Sequence, residues 1–228
     1  MSRNYIVERG LQNVEKATYY EGTKYGIPNV YSGISLNGHE DTIGFNEAGS
    51  YKGEYLNTIC HFFIDDYQFE RLWRSPDRYI EMLRKFKCVT GPDFSLSADF
   101  PRALQIFNVF RRQWLTRYLQ ENGVTIIPTA EWGDESTLEF AFEGIPKNSP
   151  VAVTLAGYNQ NKLEKELVQA GLKALKEQID PPQLLCFGTS KEIPAEIQEI
   201  MGDTQLLQYK NANIQRLREV NNGKYLQA

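Results

Sequence analysis

The sequence predicts an α/β fold: repeated βα units around a mainly parallel sheet, preceded by an irregular N-terminal region. Two patterns carry this. From Thr58 onward, apolar runs of strand length alternate with segments whose apolar residues recur at helical spacing. Before Thr58 the chain is rich in Gly, Tyr and Asn and lacks that alternation. The expected division is therefore an irregular or hairpin-bearing region, 1–57, packed on an α/β domain, 58–228.

In the first region, Asn37-Gly38 between short alternating stretches suits a hairpin turn. Its aromatics, Tyr19, Tyr20, Tyr25, Tyr31, Phe45, Tyr51 and Tyr55, call for burial and argue against a linker. The first expected strand is Ile59 to Ile64, stopping at Asp65-Asp66. Ser75-Pro76 then reads as a helix opening, with Ser as cap and Pro in the first turn, running to about Phe86. A second strand at Cys88-Val89-Thr90 leads through Gly91-Pro92-Asp93 to a helix from about Pro101 to Gln120. Ala103, Ile106, Phe107, Phe110, Trp114 and Tyr118 are the expected buried stripe of that helix.

Val124 to Pro128 is the third expected strand, and Ser136-x-x-Glu139 matches a capping box for a short helix beyond it. The fourth, Val151 to Leu155, precedes a helix with Asn161 at its start and Leu163, Leu167, Ala170 and Ala174 as its stripe. Leu184 to Phe187 is the fifth strand, and Ile214, Leu217 and Val220 suggest an amphipathic helix in the tail. Repeated βα order implies parallel strands with right-handed crossovers. An open sheet and a small or partial barrel both give near-continuous apolar strands, and the reading leans to the barrel.

With 228 residues and 41% apolar content, the chain can bury a sizeable core. Twenty-five basic against 29 acidic residues, a net charge of −4, argue against a general nucleic-acid coat or a polybasic membrane anchor. Polar sequence follows Met1 directly, and no run approaches the ~18 apolar residues of a membrane span, so a cytoplasmic protein with no membrane partner is expected. Cys60, Cys88 and Cys186 show no metal or redox spacing and are expected as buried thiols.

Ligands of parallel sheets bind beyond the carboxyl ends of the strands. Those ends carry Asp65 and Asp66, Asp93, then Glu131, Trp132, Gly133 and Asp134, and finally Gly157 and Tyr158. Asp65, Asp66, Asp93 and Asp134 are the candidate catalytic carboxylates, able to divide acid and base roles if burial separates their pKa values. Asp93 and Asp134 are the candidate ligands if Mg²⁺ or Mn²⁺ is bound. Glu131, Trp132, Gly133, Gly157 and Tyr158 are the candidate ligand-binding set. Carboxylates after strands equally well cap helices and form turns. Asp134 stands out because the capping role is expected of Ser136, and Gly133 because a glycine lets backbone approach a ligand.

Arg71, Arg74, Arg78, Arg84, Arg111 and Arg112 form a second candidate set, a basic helix face for phosphate, nucleic acid or a host protein. A solvated surface explains those charges as simply. His39 and His61 are the only histidines, which leaves His-rich zinc sites and Ser-His-Asp triads poorly supported, and no glycine-rich phosphate loop occurs.

The ordered series Ile64 to Trp73, Gly91-Pro92-Asp93-Phe94-Ser95-Leu96, Pro101 to Ile106, Trp132-Gly133-Asp134 and Phe142-Glu143-Gly144-Ile145-Pro146 resembles an uncharacterised family of bacteria, their phages and mobile elements, a domain of unknown function. The likeness spans about residues 40–190 and includes Ile43-Gly44-Phe45-Asn46. It implies a phage- or plasmid-type cytosolic protein and transfers no catalytic residue. Two functions follow as expectations. One is a strand-end pocket for a small phosphorylated or nucleotide-like molecule; the other is a non-catalytic module that binds through the basic face.

Overall fold

The computed structural model describes residue 13 and residues 22–158, 160–189 and 192–209. The expected tail helix at Ile214, Leu217 and Val220, with Tyr19 and Tyr20, lies outside them. The strands are β1 (Asp41–Gly44), β2 (Thr58–His61), β3 (Cys88–Thr90), β4 (Ile126–Ile127), β5 (Val151–Thr154), β6 (Gln183–Phe187) and β7 (Gln205–Gln208). Between them lie α1 (Phe45–Ala48), α2 (Asp66–Arg74), α3 (Asp77–Leu83), α4 (Arg102–Glu121), α5 (Lys162–Gln178) and α6 (Ala195–Met201).

All pairings between these strands are parallel, and the strands are neighbours in chain order, β1-β2-β3-β4 and β5-β6-β7. A parallel bridge from Thr129 to Ala152 joins the two sheets, with Ala152 N–H donating to the Pro128 carbonyl and Ala130 N–H to that of Ala152, both at 2.9 Å.

Side chains then alternate between two environments, as the twofold strand period requires. Ile59, Cys88, Ile127, Ala152, Leu185, Phe187 and Leu207 share one interior cluster. Their neighbours Cys60, Val89 and Ile126 pack outward with the aromatic residues of α2 and α4, and Val151, Val153, Leu184 and Cys186 pack outward with Leu172 and Leu175 of α5. The sheet is therefore curled. Four inter-strand steps of ~4.8 Å would set β2 and β6 roughly 19 Å apart if the sheet were flat. Yet the rings of His61 and Phe187 lie 5.3 Å apart, and those of Phe63 and Phe187 4.7 Å apart.

The result is a partial barrel. No β1–β7 pairing occurs among the described residues, and a buried carboxylate bridges that seam instead. Glu40, just before β1, accepts from Tyr209 Oη at 2.7 Å, from Lys87 Nζ at 2.8 Å and from the N–H of Gly38 at 3.0 Å. Burial works against the Glu40 charge, but these donors outweigh it and hold the carboxyl down at about 2.

Several local expectations change. The Asn37-Gly38 turn does not make a hairpin: Gly38 has φ +84°, and the chain turns there into β1, which pairs parallel to β2. β1 thus belongs to the sheet although it precedes residue 58. A helix already runs over Asp66–Arg74, and the one expected from Ser75 is shorter, Asp77–Leu83, with Pro76 as its cap. The capping box at Ser136 is not formed, because Asp134 caps the 3₁₀ turn Glu135–Glu139. Glu139 instead pairs with Lys24 and Arg102. Asn161 does cap α5, accepting from the Glu164 N–H at 3.0 Å. The buried stripe of α5, however, is Gly171, Leu172 and Leu175, while Leu163 is 63% exposed. All three cysteines are buried free thiols, as expected.

Candidate ligand site at the strand ends

The long helix α4 positions the centre of the site. Its expected apolar stripe is only partly the buried one: Phe107 is 44% exposed, while Gln105, Asn108, Arg112, Gln113 and Thr116 are buried beside Val109, Trp114, Leu115 and Leu119. This polar row stitches α4 to the loops above the strands. Gln105 donates to the Ser97 carbonyl, Asn108 to that of Ser95 and Gln113 to that of Glu143. Thr116 packs over Gly91, where a Cβ would lie 3.0 Å from the Thr116 hydroxyl and from the Thr129 N–H.

Arg112 is fully buried. Its guanidinium donates to the carbonyls of Ala141 and Glu131. Asp93 after β3 and Glu131 after β4 supply its opposing charge. Burial, reinforced by Asp66, lifts the Asp93 carboxyl to about 7 against the pull of Arg112. Glu131 is pushed well above the usual carboxylate range by burial first and by Asp93 and Asp66 next. In this group Asp93 and Glu131 carry less negative charge at neutral pH than two ordinary carboxylates would, and the two titrate together. Two buried atoms in it have no protein partner, Asp93 Oδ1 and Arg112 Nε.

Asp66 belongs to the same group but is tied down. It accepts from the Ser95 N–H at 3.1 Å and the Ser95 hydroxyl at 2.9 Å, fastening the β3 loop to the first turn of α2. Asp65 lies exposed at the start of α2 and accepts from Gln68.

Other sequence candidates stand apart from this group. Asp134 accepts from both the N–H and the hydroxyl of Ser136, and its carboxyl is lowered mainly by that hydroxyl, so the reason for singling it out disappears. Gly133 admits backbone, not a ligand: a Cβ there would sit 2.0 Å from the Leu96 carbonyl oxygen. Trp132 donates to the Leu167 carbonyl and meets Phe142 edge-on, and an added Cβ on Gly171 would fall 1.9 Å from its indole. Tyr158 is a core residue whose hydroxyl accepts from Gln169, and beside it Gly157 faces Glu164. Tyr158 is thus part of the core, and Trp132 is partly buried against it with Gly171 beside its indole.

The expected basic face loses Arg112 to the interior. Arg111 is withdrawn as well, pairing with Glu70 at 3.0 Å and lying 3.8 Å over the Phe94 ring, and Arg84 pairs with Glu81. Arg71, Arg74 and Arg78 remain exposed, with Arg71 lying over Phe45.

His61 points into the barrel between Phe63 and Phe187, and burial lowers it to about 4. Both its ring nitrogens are without a partner. Among the described residues no three His, Cys, Asp or Glu side chains are grouped to hold a metal ion, and no helix is long and apolar enough to cross a membrane.

A family model described as "Domain of unknown function (DUF4417)" matches residues 19–210. The Gene 1 protein of Mycobacterium phage L5 is 41% identical over 128 residues, 56% of this chain and 56% of that protein. The Gene 1 protein of Mycobacterium phage D29 is 40% identical over 128 residues, 56% of this chain and 47% of that protein. The matched stretch thus spans about half the length of these curated relatives. No solved structure matches.

Proposed function

The chain belongs to the family described as Domain of unknown function (DUF4417), and from that premise we propose that its strand-end face binds a small polar molecule and handles a proton on it. The observation that supports this is the convergence of Asp93 and Glu131 on the fully buried Arg112, with Asp93 Oδ1 and Arg112 Nε not consumed by protein partners. Buried polar atoms are satisfied in the great majority of native structures. A carboxyl raised to about 7 beside a second one also raised well above the usual carboxylate range is the arrangement that general acid–base chemistry uses.

Charge alone does not choose the ligand, because the carboxyls that face the guanidinium are held toward their neutral forms.

The test is thermal unfolding at pH 7 with panels of uncharged, cationic and phosphorylated small molecules, with and without Mg²⁺ or Mn²⁺, on wild type and Asp93→Asn. A ligand at ~100 times its Kd adds ~2.7 kcal/mol, about 5–11 °C for a chain of this size. Stabilisation of wild type that is lost in a folded Asp93→Asn supports the reading. Equal stabilisation of both places the ligand elsewhere.

A further inference from the structure

On the outer side of α2 and α3, charge of one sign stands unanswered. Arg71, Arg74 and Arg78 are exposed, and among the described residues none of them holds a carboxylate or a carbonyl. The other described arginines do. Arg84 pairs with Glu81, Arg102 with Glu139, Arg111 with Glu70 and Arg117 with Glu121, while Arg112 takes the carbonyls of Ala141 and Glu131. The acid beside them in sequence, Asp77, is engaged by Tyr118 Oη at 2.6 Å. Helix electrostatics account for Arg74, in the last turn of α2, but not for Arg78, which stands in the first turn of α3 where a cation is disfavoured.

An aromatic ring shares this face. At ~100° per residue, Tyr67, Arg71 and Arg74 fall within roughly 60° of one another around α2 and span about 10 Å along it. The buried Phe69, Leu72 and Trp73 take the opposite side, and Tyr67 is 78% exposed. Arg71 lies 5.0 Å over the Phe45 ring and 5.9 Å over that of Tyr79, which orders its guanidinium while leaving the N–H groups for an oxyanion. We propose that this face binds single-stranded nucleic acid, with Arg71, Arg74 and Arg78 on the phosphates and Tyr67 stacked on a base. Cations beside an open ring are what an unpaired strand uses. A duplex keeps its bases stacked inside and engages only the arginines, and an acidic peptide brings carboxylates but no base for the ring. The net charge of −4 confines such binding to this face. The proposal is separate from the strand-end site and does not depend on it.

The experiment is fluorescence anisotropy of labelled oligothymidylate, oligouridylate, a DNA duplex of equal length and poly-glutamate, each titrated with the full chain. Phosphate contacts from the three arginines predict a slope of about −2.1 in log affinity against log salt for a single strand, a loss of about 18-fold from ~50 to ~200 mM. Arg74→Gln with Arg78→Gln should weaken binding and reduce the slope to about −0.7. The same charge change at Lys147→Gln with Lys162→Gln should leave both unchanged. Tyr67→Ala should weaken single-strand binding about fivefold or more without altering the slope. The preference between the two single strands identifies the sugar. Duplex binding equal to single-strand binding and indifferent to Tyr67→Ala would overturn the single-strand assignment. Tighter binding of poly-glutamate would give the face to an acidic protein and overturn it as well. No binding, or binding that the arginine pair does not weaken, would refute the proposal outright. All the substituted side chains are exposed, and thermal unfolding separates loss of binding from loss of fold. Should the arginine pair unfold, Arg78→Gln alone, expected to lower the slope by about 0.7, gives the same comparison.

Discussion

A guanidinium out of reach of water must be neutralised where it lies, and Arg112 depends on two carbonyl oxygens and two nearby carboxyl groups. Replacing it with Met leaves those carboxyls without their cation. The expected cost is about 3–5 kcal/mol in urea unfolding at pH 8, with a smaller cost at pH 5, where Asp93 and Glu131 carry protons. Asp93→Asn should act in the opposite sense. The folded-state value of Asp93, about 7, lies above its ordinary 3.8. Its contribution to stability is therefore fully present below pH 3.8 and is lost as pH rises through 7. The asparagine variant carries no such loss, so its stability relative to wild type should increase between pH 4 and pH 8, read from chemical unfolding at each pH. The sequence made Asp93 legible, since any residue just past a buried parallel strand is a candidate. It hid Arg112, because an Arg next to Arg111 in a helix reads as surface until the fold shows which face turns inward.

Helices α4 and α5 show why the turning of a helix is harder to read than its existence. The bounds of α4 match the expected Pro101 to Gln120 closely, but its buried face mixes Gln105, Asn108, Arg112 and Thr116 with apolar residues, so apolar spacing alone misplaces it. A row of polar residues at three- and four-residue spacing was the available signal. In α5 the misleading element is Gly171, which is buried because Trp132 occupies the space of its missing side chain. Counting apolar residues passes over a glycine that marks the contact. Gly171→Ala should raise intrinsic helix propensity yet lower stability, by about 1–3 kcal/mol, because the methyl group meets the indole. In a Trp132→Leu background the same substitution should cost much less, and a double-mutant cycle measures the difference. Additive effects would mean the two residues do not meet.

The parallel βα order was readable from the alternation of strands and helices, whereas β1, β7 and the seam between them were not, since they depend on contacts between distant parts of the chain such as Glu40 with Tyr209. Tyr209→Phe should cost about 1.5–3 kcal/mol, the range for a hydrogen bond to a charged group. Glu40 also sets an acid limit. Its folded value of about 2 lies below the ordinary 4.5, so its contribution is present above pH 4.5 and is lost as pH falls toward 2, a loss that Glu40→Gln should remove from the acid unfolding curve. The curl has a functional consequence, because it gathers the ends of β2, β3 and β4 with the first turn of α2 and the middle of α4 around one buried charge cluster. That cluster is the core of the account, and the most direct test is the carbon-13 titration of the Asp93 side-chain carboxyl by NMR. A midpoint near 7 that falls in Asp66→Asn is the expected result. A midpoint near 4, unchanged by that substitution, would contradict it.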